Sequence, residues 1–116
     1  MAALTDGRLR PEVDPEGRAA IALASVEGLG PRGILALVEA HGSAMSVLES
    51  ASQGTLAGAL SPRLRRLASS ARLHTADDVT SELPAGSRVI PYSSSLYPSG
   101  LRRLYQPPAV LYALGP

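Results

Sequence analysis

Between residues 26 and 33 the chain reads Val26-Glu27-Gly28-Leu29-Gly30-Pro31-Arg32-Gly33, an apolar-x-Gly-apolar-Gly turn able to join two helices and meet a phosphate. Two glycines permit positive φ and a close backbone approach to a ligand. The helix that follows presents free N–H groups and the positive end of its dipole. Leu29 is placed to anchor the turn in the core. Arg32, in the first helical turn, can add a charge-assisted bond to the same phosphate. The nucleic-acid-binding set read from this segment is Gly28, Leu29, Gly30, Arg32 and Gly33. Pro31 removes one N–H from the set. The same glycines also suit a tight turn between packed helices, so both readings stay open at this point.

Arginines recur in Arg63-Leu64-Arg65-Arg66 and in Arg102-Arg103. Arg63 and Arg66 are candidate secondary phosphate contacts, read as one edge of a helix whose opposite side carries Arg65 and Arg72. Such residues more often form a solvated helix face. No aromatic residue interleaves the first cluster, so a stacking platform for single strands is missing there. The net charge of +1 confines any nucleic-acid contact to a local patch. A single hairpin neutralising a few phosphates would bind without sequence preference, at about 10⁻⁴ M or weaker at physiological salt.

Other chemistry is thinly represented. The chain has no cysteine, which excludes disulfides and thiolate metal sites. His41 and His74 have no partners at metal-ligand or catalytic spacing, and His41 falls on an apolar helical stripe near a helix end. Ser93-Ser94-Ser95 sits in no Gly-x-Ser-x-Gly elbow and has no recognisable base, while Asp77 and Asp78 are adjacent and cannot face each other on a helix. Catalysis therefore has no visible apparatus, and no metal or cofactor is expected. No apolar run reaches the ~20 residues of a membrane span, and residues 1 to 10 lack the apolar core of a secretory signal. A cytoplasmic protein with no membrane partner is expected.

Helices must position the hairpin. Residues 1 to 13 mix Gly, Pro and charge and read as a mobile lead-in. Asp14-Pro15-Glu16 starts a helix to about Val26, apolar almost all round at Ala19-Ala20-Ile21-Ala22-Leu23-Ala24 and hence buried. Pro31 opens a second helix carrying Ile34, Leu35, Leu37, Val38 and His41, stopped by Gly42. Ser43 caps a third with Met45, Val47 and Leu48, and residues 52 to 59 are ambiguous. Ser61-Pro62 starts a fourth with Leu64 and Leu67 on one stripe. Thr75-Ala76-Asp77-Asp78 caps a last short helix to about Leu83. After Pro84 the pattern is strand-like: Arg88 to Tyr92, a serine loop, a helical turn over Pro98 to Leu104, and Ala109 to Leu114 as a fully buried strand. Tyr92, Tyr97, Tyr105 and Tyr112 are expected to pack around this sheet.

The hairpin and the later motif Tyr97-Pro98-x-x-Leu101, then Pro107-Pro108-x-x-Leu111-Tyr112-x-x-Gly115, resemble in order and separation the N-terminal part of the DNA-processing protein A family (DprA, also called Smf) of bacterial natural transformation. The resemblance covers most of residues 18 to 116. It departs from the family at Gln106, where an acidic residue is frequent. It implies a helical domain of helix-hairpin-helix or sterile-alpha-motif-like type, residues 14 to 83. It further implies that residues 84 to 116 are a linker and the opening strand-turn-strand of a Rossmann-like domain. Tyr97, Pro98, Leu101, Pro108, Leu111, Tyr112 and Gly115 would then be structural motif residues. The implied function is binding of incoming single-stranded DNA and its delivery to the RecA recombinase, with the domain beyond these residues holding the main DNA and RecA surfaces.

Two roles for the helical part follow. One is weak DNA-phosphate contact through the hairpin. The other is a protein-interaction or dimerisation module without DNA binding, docking through a surface around Ile34, Leu37 and Leu64. The strand at 109 to 114, if meant for the middle of a parallel sheet, should fold back on Val89 to Tyr92, pair with a second chain, or be poorly ordered.

Overall fold

The computed structural model describes residues 13–58 and 60–113. Their fold is mainly helical with a small two-stranded antiparallel sheet. Helix α1 spans Pro15–Ala24, α2 Gly30–His41, α3 Ala44–Gln53, α4 Pro62–Ser69 and α5 Leu73–Ser81. The strands are β1, Arg88–Pro91, and β2, Val110–Ala113, with a 3-10 turn at Leu101–Arg103 between them.

Local chemistry sets the helix starts as expected. Asp14 Oδ1 accepts from the Gly17 N–H at 2.7 Å, and Pro15 occupies the first turn of α1. Ser43 and Ser61 hydroxyls accept from the Ser46 and Leu64 N–H groups to cap α3 and α4. Gly42 and Gly54 end α2 and α3 in the left-handed region, where a Cβ would be strained. The ambiguous stretch after α3 is irregular. The last helix begins earlier than Thr75: Arg72 is the extended residue before it and provides no side-chain cap. Burial of Ala76 against Ile21 and Ala22 fixes this helix in place of a capping hydroxyl.

Helix α1 lies at the centre, touching α2, α3, α5, β1 and β2. Gly17, Ala19, Ala20, Ile21, Ala22 and Leu23 are all buried, as an apolar helix centre requires; Ala24, expected to be buried with them, is exposed at the end of the helix. Ala19, Ala20 and Leu23 face Leu29, Ile34, Leu37, Ala44, Val47 and Ala68. Ile21 and Ala22 face Ala76 and Val89. Val13, expected in a mobile lead-in, packs on this second cluster; the rest of that lead-in lies outside the described residues. Ile34 at 4% exposure and Leu37 at 0% are core, and Leu64 packs against them. The docking surface expected around these three residues is therefore absent, because the apolar stripe of α2 is spent on the interior.

The Glu16 carboxylate ties three elements together. It accepts from the Ala44 and Met45 N–H groups at 2.7 and 3.0 Å, supplying a second cap to α3, and from the Ser93 hydroxyl at 2.7 Å. His41 closes α2 similarly: its Nε2 accepts from the Ala57 N–H at 3.2 Å, and its Nδ1 lies 3.4 Å from the Ser50 hydroxyl.

The second strand folds back on the first, one of the three outcomes expected of a lone strand. The register pairs Arg88 with Ala113, Val89 with Tyr112, Ile90 with Leu111 and Pro91 with Val110. β2 is half-buried, with Tyr112 exposed, so the fully buried strand expected from its apolar run is corrected. One strand neighbour and one helical face cover less of it than a sheet centre would. Ala109 and Val89 nevertheless join the helical core clusters.

The motif residues before β2 build a compact loop. Tyr97 is 3% exposed and its hydroxyl donates to the Pro108 carbonyl at 2.7 Å. Its ring meets Tyr92 edge-on, centroids 5.1 Å apart. The Arg102 guanidinium lies over both rings at 4.5 and 4.9 Å and donates to the Ser94 carbonyl. Pro107 is buried and Leu101, Pro108 and Leu111 are half-buried, whereas Pro98 is exposed; Gly115 lies outside the described residues. Tyr105 and Tyr112 do not join this packing, being 79% and 46% exposed.

Burial pushes the Tyr97 phenol above its ordinary range, Tyr92 adds to the rise and Arg102 opposes it. The folded phenol then keeps its proton to higher pH than the unfolded one. Its contribution to stability is intact below about pH 10 and falls as pH climbs through the folded value. Tyr97→Phe should be less stable at neutral pH by about 1 kcal/mol, from the lost bond to Pro108. Its stability should decline less steeply than the wild type above pH 10, measured by urea unfolding across pH.

Candidate functional site

The turn between α1 and α2 is held from both sides. Leaving α1, the Ser25 N–H and hydroxyl both reach the Ile21 carbonyl, at 2.9 and 2.8 Å, and the Leu29 N–H bonds to the Val26 carbonyl at 3.2 Å. Leu29, 4% exposed, is driven into the core beside Ile34, the anchor its place in the motif predicts. Gly28 and Gly30 take φ of +89° and +70° and are exposed. Both conformations are costly for a residue with a Cβ.

No side chain caps the start of α2, and its first turn carries no acidic residue. Pro31 has no N–H, so the Gly30 and Arg32 N–H groups are those without an acceptor inside the helix. Gly33 is turned inward. A Cβ there would meet Leu64 Cδ2 at 3.0 Å and Leu29 Cδ1 at 3.1 Å, so its small size serves the packing of α2 on α4.

Two arginines from different helices flank the turn. Arg63, from the first turn of α4, donates through Nη2 to the Gly28 carbonyl at 3.0 Å. This leaves further donors of its guanidinium fork directed at the surroundings. Arg32 donates through Nη1 to the Tyr105 hydroxyl at 2.7 Å, with its guanidinium 4.8 Å from that ring's centroid. Tyr105, expected to pack around the sheet, instead partners the arginine of the turn. Its partner lies far along the sequence, and the signal available was an exposed aromatic placed after Arg102-Arg103.

Arg66 does not reach the turn. It lines, together with Arg65, an open cleft on the other side of α4, so the division that set Arg63 and Arg66 against Arg65 is corrected. Positions 62, 65, 66 and 69 share one helical face, from which 63 is rotated away. Glu27, exposed beside Gly28, places one negative charge next to the arginines.

The arrangement can hold an anion by backbone N–H groups and guanidinium donors. Among the described residues no group of three or more His, Asp or Glu side chains could hold a metal ion. Ser93 meets the Glu16 carboxylate, but that carboxylate also accepts two backbone N–H groups at the start of α3. It thereby acts as a helix cap, with no third group arranged to orient a base. No helix among the described residues is long and apolar enough to cross a membrane. Comparison with protein-family models, with curated proteins and with solved structures finds no match to this chain.

Gly28→Ala should destabilise the fold by about 1–2 kcal/mol, because a left-handed φ is imposed on a side-chain-bearing residue. Urea unfolding measures the loss.

Proposed function

We propose that this chain is the N-terminal module of a non-enzymatic, cytoplasmic DNA-processing protein of the DprA/Smf kind, and that its helical part contacts DNA phosphates weakly through the α1–α2 turn. The observation that carries the proposal is convergence. Arg32 and Arg63, from separate helices, flank an uncapped helix start opened by two positive-φ glycines. Backbone N–H groups at such a start favour a negative ligand, and guanidinium forks match phosphate oxygens.

In this reading the helical part is of helix-hairpin-helix or sterile-alpha-motif-like type. The β1–β2 hairpin is the beginning of a Rossmann-like unit, to which the main grip on single-stranded DNA and the delivery to RecA belong. The support for that wider role is the Tyr97 to Tyr112 motif, whose Tyr97 and Pro108 are bonded to each other. The small net charge and the neighbouring Glu27 fit a contact that positions DNA held elsewhere.

Titrating labelled single-stranded and duplex DNA at low and moderate salt tests the proposal. Affinity should be about 10⁻⁴ M or weaker near physiological salt and should strengthen steeply as salt falls. Arg32→Glu should weaken binding at low salt to both forms, and removing Arg32 and Arg63 together should flatten the salt slope by roughly two. Binding indifferent to salt and to Arg32→Glu would leave the turn as a structural connection.

A further inference from the structure

An open cleft of about 590 Å³ lies between the end of α3 and α4, away from the hairpin. Ala51 and Leu56, both half-buried, and Pro62 give it an apolar lining. Arg65 and Arg66 stand along it, and no acidic side chain lines it. The other arginines of the helical part are engaged: Arg18 with Asp77, Arg32 with Tyr105, Arg63 with Gly28, and Arg72 with the Ser69 and Ala71 carbonyls. The guanidinium groups of Arg65 and Arg66 make no hydrogen bond or ion pair among the described residues, although Arg65 is half-buried. Partial removal of a cation from water without an acceptor is unfavourable, and a ligand carboxylate would offset it with charge-assisted bonds.

We propose that this cleft docks an acidic amphipathic segment of a protein partner, aliphatic side chains on Ala51, Leu56 and Pro62 and carboxylates on Arg65 and Arg66. Charge complementarity selects the acidic partner. The lining selects protein over nucleic acid, because no aromatic ring is present to stack a base. The cleft's openness suits a helix laid into a groove, with anchors at i, i+3, i+4 and i+7. The site is independent of the hairpin, since neither Arg65 nor Arg66 touches the α1–α2 turn.

The probe is a short fluorescein-labelled peptide with leucines at i, i+3, i+4 and i+7 and glutamates beside them, with a second peptide carrying glutamine for glutamate. Anisotropy should report saturable binding of the acidic peptide, weakened about tenfold or more by Arg65→Gln with Arg66→Gln and by the glutamine peptide. Amide shifts in the ¹⁵N spectrum should centre on Ala51, Gly54 and Leu56. Circular dichroism of the double variant should match the wild type, since neither guanidinium makes a hydrogen bond or ion pair among the described residues. Absence of shifts at those amides, or binding unchanged in the double variant, would overturn the proposal. So would an oligothymidylate that shifts the same amides while the acidic peptide does not.

Discussion

The whole arrangement depends on the burial of one helix of small residues. α1 buries Gly17, Ala19, Ala20 and Ala22, so α2, α3, α5 and the β1–β2 hairpin can all approach its axis closely. Leu23 and Ile21, both essentially unexposed, point toward different clusters and divide the interior between the hairpin side and the α5–β1 side. Each such side chain contributes about 1.5–3 kcal/mol by leaving water. The alanines between them contribute by letting the neighbours reach that depth. Leu29 lies in the same cluster as Leu23, so the position of the α1–α2 turn is fixed by this packing, and with it the exposure of Gly28 and Gly30.

Polar groups then set the details that apolar burial leaves free. Glu16 on the central helix holds both the start of α3 and the loop after β1. Arg63 holds the Gly28 carbonyl from α4, and Tyr97 holds the Pro108 carbonyl just ahead of β2. The Glu16 and Arg63 bonds join segments distant in sequence and the Tyr97 bond closes the loop ahead of β2, so polar contacts complete what apolar burial starts. The hairpin side of α4 is thereby committed to the turn through Arg63, while its other side leaves Arg65 and Arg66 facing an open cleft.

Helix positions were legible because their signals are local: Asp14-Pro15, Ser43 and Ser61-Pro62 at starts, Gly42 at an end; Gly54 as the stop of α3 was not. Leu29 as an anchor was legible too, since an apolar residue between two glycines has few ways to be satisfied; for the last strand the sequence left fold-back as one of three outcomes, because an unpaired strand can equally take a second chain or stay unpaired. Contacts between segments were not. Arg32 with Tyr105, Arg63 with Gly28 and Glu16 with Ser93 depend on how separate elements cross, which periodicity does not encode. The misplaced start of α5 and the docking surface expected on Ile34 and Leu37 share one cause. In both, burial against α1 or its neighbours decided the outcome: it fixed the helix without the capping threonine in one and used up the apolar stripe in the other.

The central claim is that the α1–α2 turn is where this module meets a phosphate backbone. Amide shifts in the ¹⁵N spectrum of the chain, recorded during addition of a short oligonucleotide at low salt, test it most directly. The account predicts shifts centred on Gly28, Gly30 and Arg32 that collapse as salt is raised, while amides along α5 stay in place. Shifts that leave those three residues untouched, or no shifts at all at low salt, would contradict it.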